Sequence, residues 1–146
     1  MQKERGFSLI ELLIVVAIIS LIAAIAIPNL RSARQAASSS SAVQSLRTIT
    51  TAEQLYRQKY QQYATLAQLA PETTLDPHLQ TGSKSNYTFD IILTVPTPAD
   101  VSYHFSCTAT PNDTPAEFIH YFVDDTGVIR QNLGAPATAT SPPIPK

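Results

Sequence analysis

The chain has 146 residues, enough for one domain and no more, with 10 Lys and Arg against 11 Asp and Glu for a net charge of −1. Basic residues scattered in this way argue against an electrostatic nucleic-acid surface. The single cysteine, Cys107, excludes an intrachain disulfide.

Residues 7–27 read FSLIELLIVVAIISLIAAIAI and are apolar except for Ser8, Glu11 and Ser20. Twenty-one residues make about 31 Å of helix, the thickness of a bilayer core. The run is too long for the apolar region of an ordinary signal peptide. A simple anchor with Lys3 and Arg5 held in the cytoplasm accounts for the topology. It does not account for Glu11, because a carboxylate inside a membrane segment costs roughly 2.5–3.5 kcal/mol on insertion scales.

A cut after Gly6 would give Glu11 a partner. Phe7 would then carry a new α-amino group, positive at neutral pH. Glu11 sits one turn later, about 6 Å along the axis, and helical side chains lean toward the N-terminus. Its carboxylate can neutralise its own Phe7 amine, or that of a neighbouring helix shifted by about one turn. The second arrangement specifies a stagger between subunits. A buried pair of this kind fixes register more than it adds stability.

These residues carry a resemblance. A short charged leader ending in Gly6, then FSLIELLIVVAIISLIAAIAIP with Glu11 four residues after Phe7 and a proline at position 28, resembles the signal of bacterial type IV prepilins and type II secretion pseudopilins. The resemblance covers the first thirty or so residues closely and the rest in outline. It implies cleavage between Gly6 and Phe7 by a prepilin peptidase at the cytoplasmic face, N-methylation of Phe7, and recruitment of the subunit to a growing filament through Glu11. Removal of Lys3, Glu4 and Arg5 takes 10 basic and 11 acidic residues to 8 and 10, near −2. An inner-membrane assembly platform, an ATPase motor and minor pilins are implied as partners, with the membrane as the home of the subunit before assembly.

Pro28 removes one helical N–H and crowds the turn at Ala24, so a kink is expected; the alternative is a helix boundary after the span. In the family the segment before this proline can lose helicity on assembly, and Ala23, Ala24 and Ala26 allow close helix contacts. From Asn29 to about Ala70 there is neither proline nor glycine. Val43, Leu46, Ile49, Ala52, Tyr56, Tyr60 and Tyr63 step by three or four, the mark of an amphipathic helix continuing to about residue 70. The four serines Ser38, Ser39, Ser40 and Ser41 weaken helix propensity by tenths of a kcal/mol each. They admit a flexible-linker reading, and far less readily a nucleophile, since no histidine or acid is near in sequence.

After Pro71 the period becomes two. YTFDIILTV (87–95) and VSYHFSCT (101–108) alternate as half-buried antiparallel strands, and FIHYFV, DDTG and VIRQNL (118–133) read as a hairpin. The expected fold is α+β: a long N-terminal helix, membrane-spanning in its first half and amphipathic in its second, packed on an antiparallel sheet of about four strands. This is the pilin-like layout. The organisation is a leader (1–6), an assembly helix (7–28), a globular domain (29–134) and a tail (135–146). The tail, APATATSPPIPK, lacks residues for a core and is expected to be mobile.

Other motifs are weak. Asn86 and Asn112 begin N-glycosylation triplets that chance alone often supplies. His78, His104 and His120 belong to no catalytic signature, so neither an enzyme nor a cofactor is expected. Asp124 and Asp125 make a thin case for calcium and a better one for shaping a turn. The longer acidic calcium loop of major pseudopilins is missing. Cys107, on an apolar face, reads as a buried thiol. Tyr56, Tyr60 and Tyr63 raise electron conduction, against which helically spaced tyrosines under a sheet are ordinarily core.

The functional expectation is a structural filament subunit, held in the bacterial inner membrane with its N-terminus inward and later assembled into an extracellular pilus or a periplasmic pseudopilus. The alternatives are a pseudopilin or minor pilin of a type II secretion system and, from another class, a membrane-tethered binding domain that never polymerises. Adhesion, motility and DNA uptake all stay open as uses of the filament, and so does DNA binding.

Overall fold

A computed structural model describes residues 7–73, 75–96, 103–113 and 117–145. The leader, including Gly6, lies outside the described residues. The chain divides into two compact units, Met1–Ala36 and Ala37–Lys146.

Helix α1 spans Leu9–Tyr60 (52 residues) and passes through Pro28 rather than ending there. In the first unit its large apolar side chains, from Phe7 to Leu30, are exposed all round. An all-apolar helix surface of this kind belongs in lipid or against other helices. Among the described residues α1 is the one helix long and apolar enough to cross a membrane. Ser20 satisfies its hydroxyl within the helix, donating to the Val16 carbonyl at 2.7 Å.

In the second unit the same helix buries one face. Ala42, Leu46, Ile49 and Ala52 lie against the sheet, with Val43 and Tyr56 at the margin. Each buried Leu or Ile contributes about 1.5–3 kcal/mol. The helix was expected to reach residue 70 but stops at Tyr60. Gln61 takes a left-handed φ of 60° while its N–H still bonds the Arg57 carbonyl at 2.8 Å, which closes the last turn. The chain restarts as α2 (Leu66–Glu72), where the Thr65 N–H donates to the Gln68 side chain at 2.9 Å, a capping arrangement. Two of the expected core tyrosines therefore change place. Tyr63 is buried from the turn, and Tyr60 is exposed, stacked on Tyr56 and donating to Glu72.

Helix α3 (Pro77–Gln80) follows, with Asp76 accepting the His78 N–H and Pro77 at the first position. Five strands then form an antiparallel meander in chain order: β1 (Ser83–Lys84), β2 (Tyr87–Thr94), β3 (His104–Pro111), β4 (Ile119–Asp124) and β5 (Arg130–Leu133). The strand beyond the expected four is β1. Its two residues are too short for alternation to show, and its turn uses Ser85 and Asn86, both at positive φ. Gly82 is needed beside it: φ is +76°, and a Cβ would come within 3.3 Å of the Phe89 carbonyl. Inward-facing Tyr87, Phe89, Phe105, Cys107, Ala109, Tyr121 and Val123 complete the core.

The tail, whose composition suggested mobility, is docked along the outer edge of β5. The Gln131 N–H donates to the Pro142 carbonyl at 2.9 Å, and the Ile144 N–H donates to the Ile129 carbonyl at 3.0 Å. Arg130 Nη1 reaches the Ser141 carbonyl, Ala137 is buried, and Ile144 packs on the core. Proline lacks a donor but keeps its carbonyl, so a proline-rich strand can still cover an edge that would otherwise recruit another chain. Deleting residues 135–146 is expected to lower stability by about 3 kcal/mol, from two main-chain bonds and the burial of Ile144. It is also expected to promote self-association. A lower urea midpoint together with a larger sedimenting species would be the readout; an unchanged midpoint would leave the tail without a structural role.

Candidate functional site

The sequence singles out Gly6, Phe7, Glu11 and Pro28, and the structure places the last three on the first unit. Phe7 is exposed just before α1, and Glu11 lies in its first turn. The Glu11 Oε2 accepts the backbone N–H of Ser8 at 2.9 Å. Residues Ser8-Leu9-Ile10-Glu11 fit the S-x-x-E capping pattern, and this is its carboxylate half. The signal was readable in the sequence and was hidden by the membrane character of the run. One oxygen thus holds the start of the helix, and the other is left for a further donor. The first turn also carries the positive end of the helix dipole, which favours an anion there. Such a carboxylate can bind a primary amine, its own or a neighbour's. Pro28 stands 17 residues further on, about 26 Å along a helix, so it acts separately from Glu11.

The remaining candidates sit in the second unit and are occupied by local structure. Asp124 accepts the Thr126 N–H at 3.0 Å and the Thr126 hydroxyl, closing the β4–β5 turn. Asp125 Oδ2 lies 2.6 Å from His104 Nδ1. The two carboxylates therefore serve different partners, and no group of three metal-ligating side chains occurs among the described residues. Asn86 bonds Asp113, and Asn112 accepts the Thr88 hydroxyl. Ser39 and Ser41 are helical and reach Tyr87 and Ser85, which answers the linker reading. Cys107 is fully buried, and burial pushes its thiol well above the usual range. An open groove of about 890 Å³ beside α1 is lined by Ser40, Ser41, Gln44, Asp76 and Lys84 among others, without a histidine or cysteine.

One functional-looking group escaped the sequence reading. Glu53 lies on the buried face of α1 at 0% exposure, and burial raises its pKa from 4.5 to about 7, partly offset by a hydrogen bond from Ala64. Its position at the spacing of the apolar face was the only available signal.

Comparison with known proteins agrees with the N-terminal geometry. Residues 1–27 match the family described as the prokaryotic N-terminal methylation motif. No curated protein and no solved structure matches the chain. The chain thus carries the N-terminal methylation motif, the class III signal of type IV pilins and pseudopilins, on a long helix followed by an antiparallel sheet. The motif and the layout are pilin-like; proteins that carry this motif are typically structural and non-enzymatic, and the motif implies processing by a prepilin peptidase and pilus-type assembly.

Proposed function

We propose that the chain is the structural subunit of a type IV pilus filament. It is cut between Gly6 and Phe7, methylated on the Phe7 amine, and polymerised through its N-terminal helix. The observation that carries this reading is the helix surface itself: apolar side chains exposed from Phe7 to Leu30, interrupted by a carboxylate in the first turn. Before assembly, lipid covers that surface, with Lys3 and Arg5 on the cytoplasmic side. After assembly, other copies cover it. Transfer out of lipid offsets much of the gain from burial, so specific pairing and packing must select the filament. Glu11 supplies the pairing. Pro28, by removing one helical hydrogen bond, supplies a kink in the packed stem.

Contacts of this kind join one face of a subunit to a different face of the next, and they do not close, so a helical fibre results. The assembly platform and ATPase motor extract each subunit from the inner membrane. Electron microscopy of sheared surface material, with mass spectrometry of its dominant band, tests the proposal. Fibres made mostly of this chain support the pilus subunit. Its presence only as a trace component, or only in periplasmic fibres, supports the minor pilin or pseudopilin. Cleaved chain with no fibre supports a tethered domain.

A further inference from the structure

Two ionisable residues of α1 hold neighbouring positions of the turn that follows it. Glu53 Oε2 accepts the Ala64 N–H at 2.9 Å, and its Oε1 is buried with no partner. Arg57 donates from Nη1 to the Tyr63 hydroxyl at 2.8 Å and lies 5.2 Å from the centre of that ring. Tyr63 in turn packs on Phe105 of β3, with ring centres 4.8 Å apart. Glutamate four residues before arginine is the favoured order for a helical ion pair, yet here each side chain is turned to the loop instead.

Full burial, with a single backbone N–H as the donor shown to Glu53, favours the neutral carboxyl over the carboxylate. We propose that the Gln61–Thr65 turn is a pH-operated latch, in which ionisation of Glu53 draws Arg57 from the Tyr63 hydroxyl onto the Glu53 carboxylate and releases the turn. Among the described residues, the ionisable and charged groups tied to Glu53 or to the turn it holds are Arg57, one helical turn on along α1 and bonded to Tyr63, Tyr63 itself, Cys107 on β3 and, acting on Cys107, Asp90 on β2. Arg57 is the one cation in that set, and Asp90 has the same sign as ionised Glu53. For a carboxylate with one buried oxygen unpaired, Arg57, four residues on along the helix, is the cation placed to give relief. Beyond the turn, Lys59 and Tyr60 hold Glu72 at the end of α2, but this pair is solvent-exposed and restrains it weakly.

The direction of the pH effect follows from linkage. The closed form has a Glu53 pKa of about 7 against an ordinary 4.5. The closed form keeps a proton that the open form has lost across that window. Its advantage is full below pH 4.5 and is lost as pH rises through 7. The ratio of open to closed is expected to grow by on the order of a hundredfold across the window.

Amide hydrogen exchange of the full chain in detergent micelles, corrected for the intrinsic pH dependence of exchange, tests the latch between pH 5 and 9. Protection at residues 61–66 is expected to fall through pH 7 while β3 amides stay unchanged. Glu53→Gln is expected to remove the step. A flat profile at residues 61–66, an equal fall in β3, or the same step in Glu53→Gln overturns the proposal. A carboxyl NMR titration of Glu53 in the unaltered chain gives an independent reading: a midpoint near 7 is expected, and one near 4.5 overturns it.

Discussion

Glu11→Ala is expected to leave membrane insertion and cleavage intact and to lower filament yield at least tenfold. The apolar run gains an apolar residue, so insertion loses nothing. Gly6 and Phe7 are unchanged, so the cut is still made. In the proposed filament, however, each added subunit buries a Phe7 amine that no longer has its anion. Removing one partner of a buried pair costs about 3–5 kcal/mol, and about 1.4 kcal/mol per addition step is already a factor of ten. Glu11 also accepts the Ser8 N–H, and losing that cap costs about 1 kcal/mol. Glu11→Gln separates the two roles. Glutamine keeps an acceptor for Ser8 but has no charge. If pairing with the amine is what matters, Glu11→Gln stays defective; filaments restored by glutamine would assign Glu11 to helix capping alone. Sheared-fibre yield, normalised to cleaved subunit in the membrane, measures both variants.

Gly6→Leu is expected to block processing. A branched side chain in place of hydrogen at the residue before the cut costs about 3 kcal/mol when it has to enter a fitted cleft, which slows cleavage by on the order of a hundredfold. The uncut chain keeps Lys3, Glu4 and Arg5, and the nitrogen of Phe7 stays an amide. Glu11 then lacks its counter-ion even though it is present. The expected result is an unprocessed band in the membrane with almost no fibre. Normal fibre made from uncut Gly6→Leu chain would remove the link between cleavage and assembly.

Much of the fold was legible because it rests on periodicity. A two-residue period marked β2, β3 and the β4–β5 hairpin, and the largely apolar run of residues 7–27 marked the stem of α1. What escaped depended on geometry that single residues do not announce. Helix α1 ends at a left-handed glutamine, Gln61, where no glycine or proline warns of a stop. The shortest strand, β1, has two residues and no pattern. The tail looked like solvent-exposed chain because its contacts are carbonyls and one isoleucine, set against a strand edge whose register is a long-range property. Glu53 sits in step with Leu46 and Ile49 on the inner face, a place where a charge is rarely left. At the N-terminus the reverse holds. The motif residues were plain, and the structure adds the Ser8–Glu11 bond that the apolar character of the run concealed.

The mass and first residue of the subunit recovered from intact fibres bear most directly on the whole scheme. A chain beginning at Phe7, with one methyl group on its amine, is the expected finding. Fibres built from subunits that still carry residues 1–6 would contradict it, since Glu11 would then be packed inside an assembly without the amine that makes its place there tolerable.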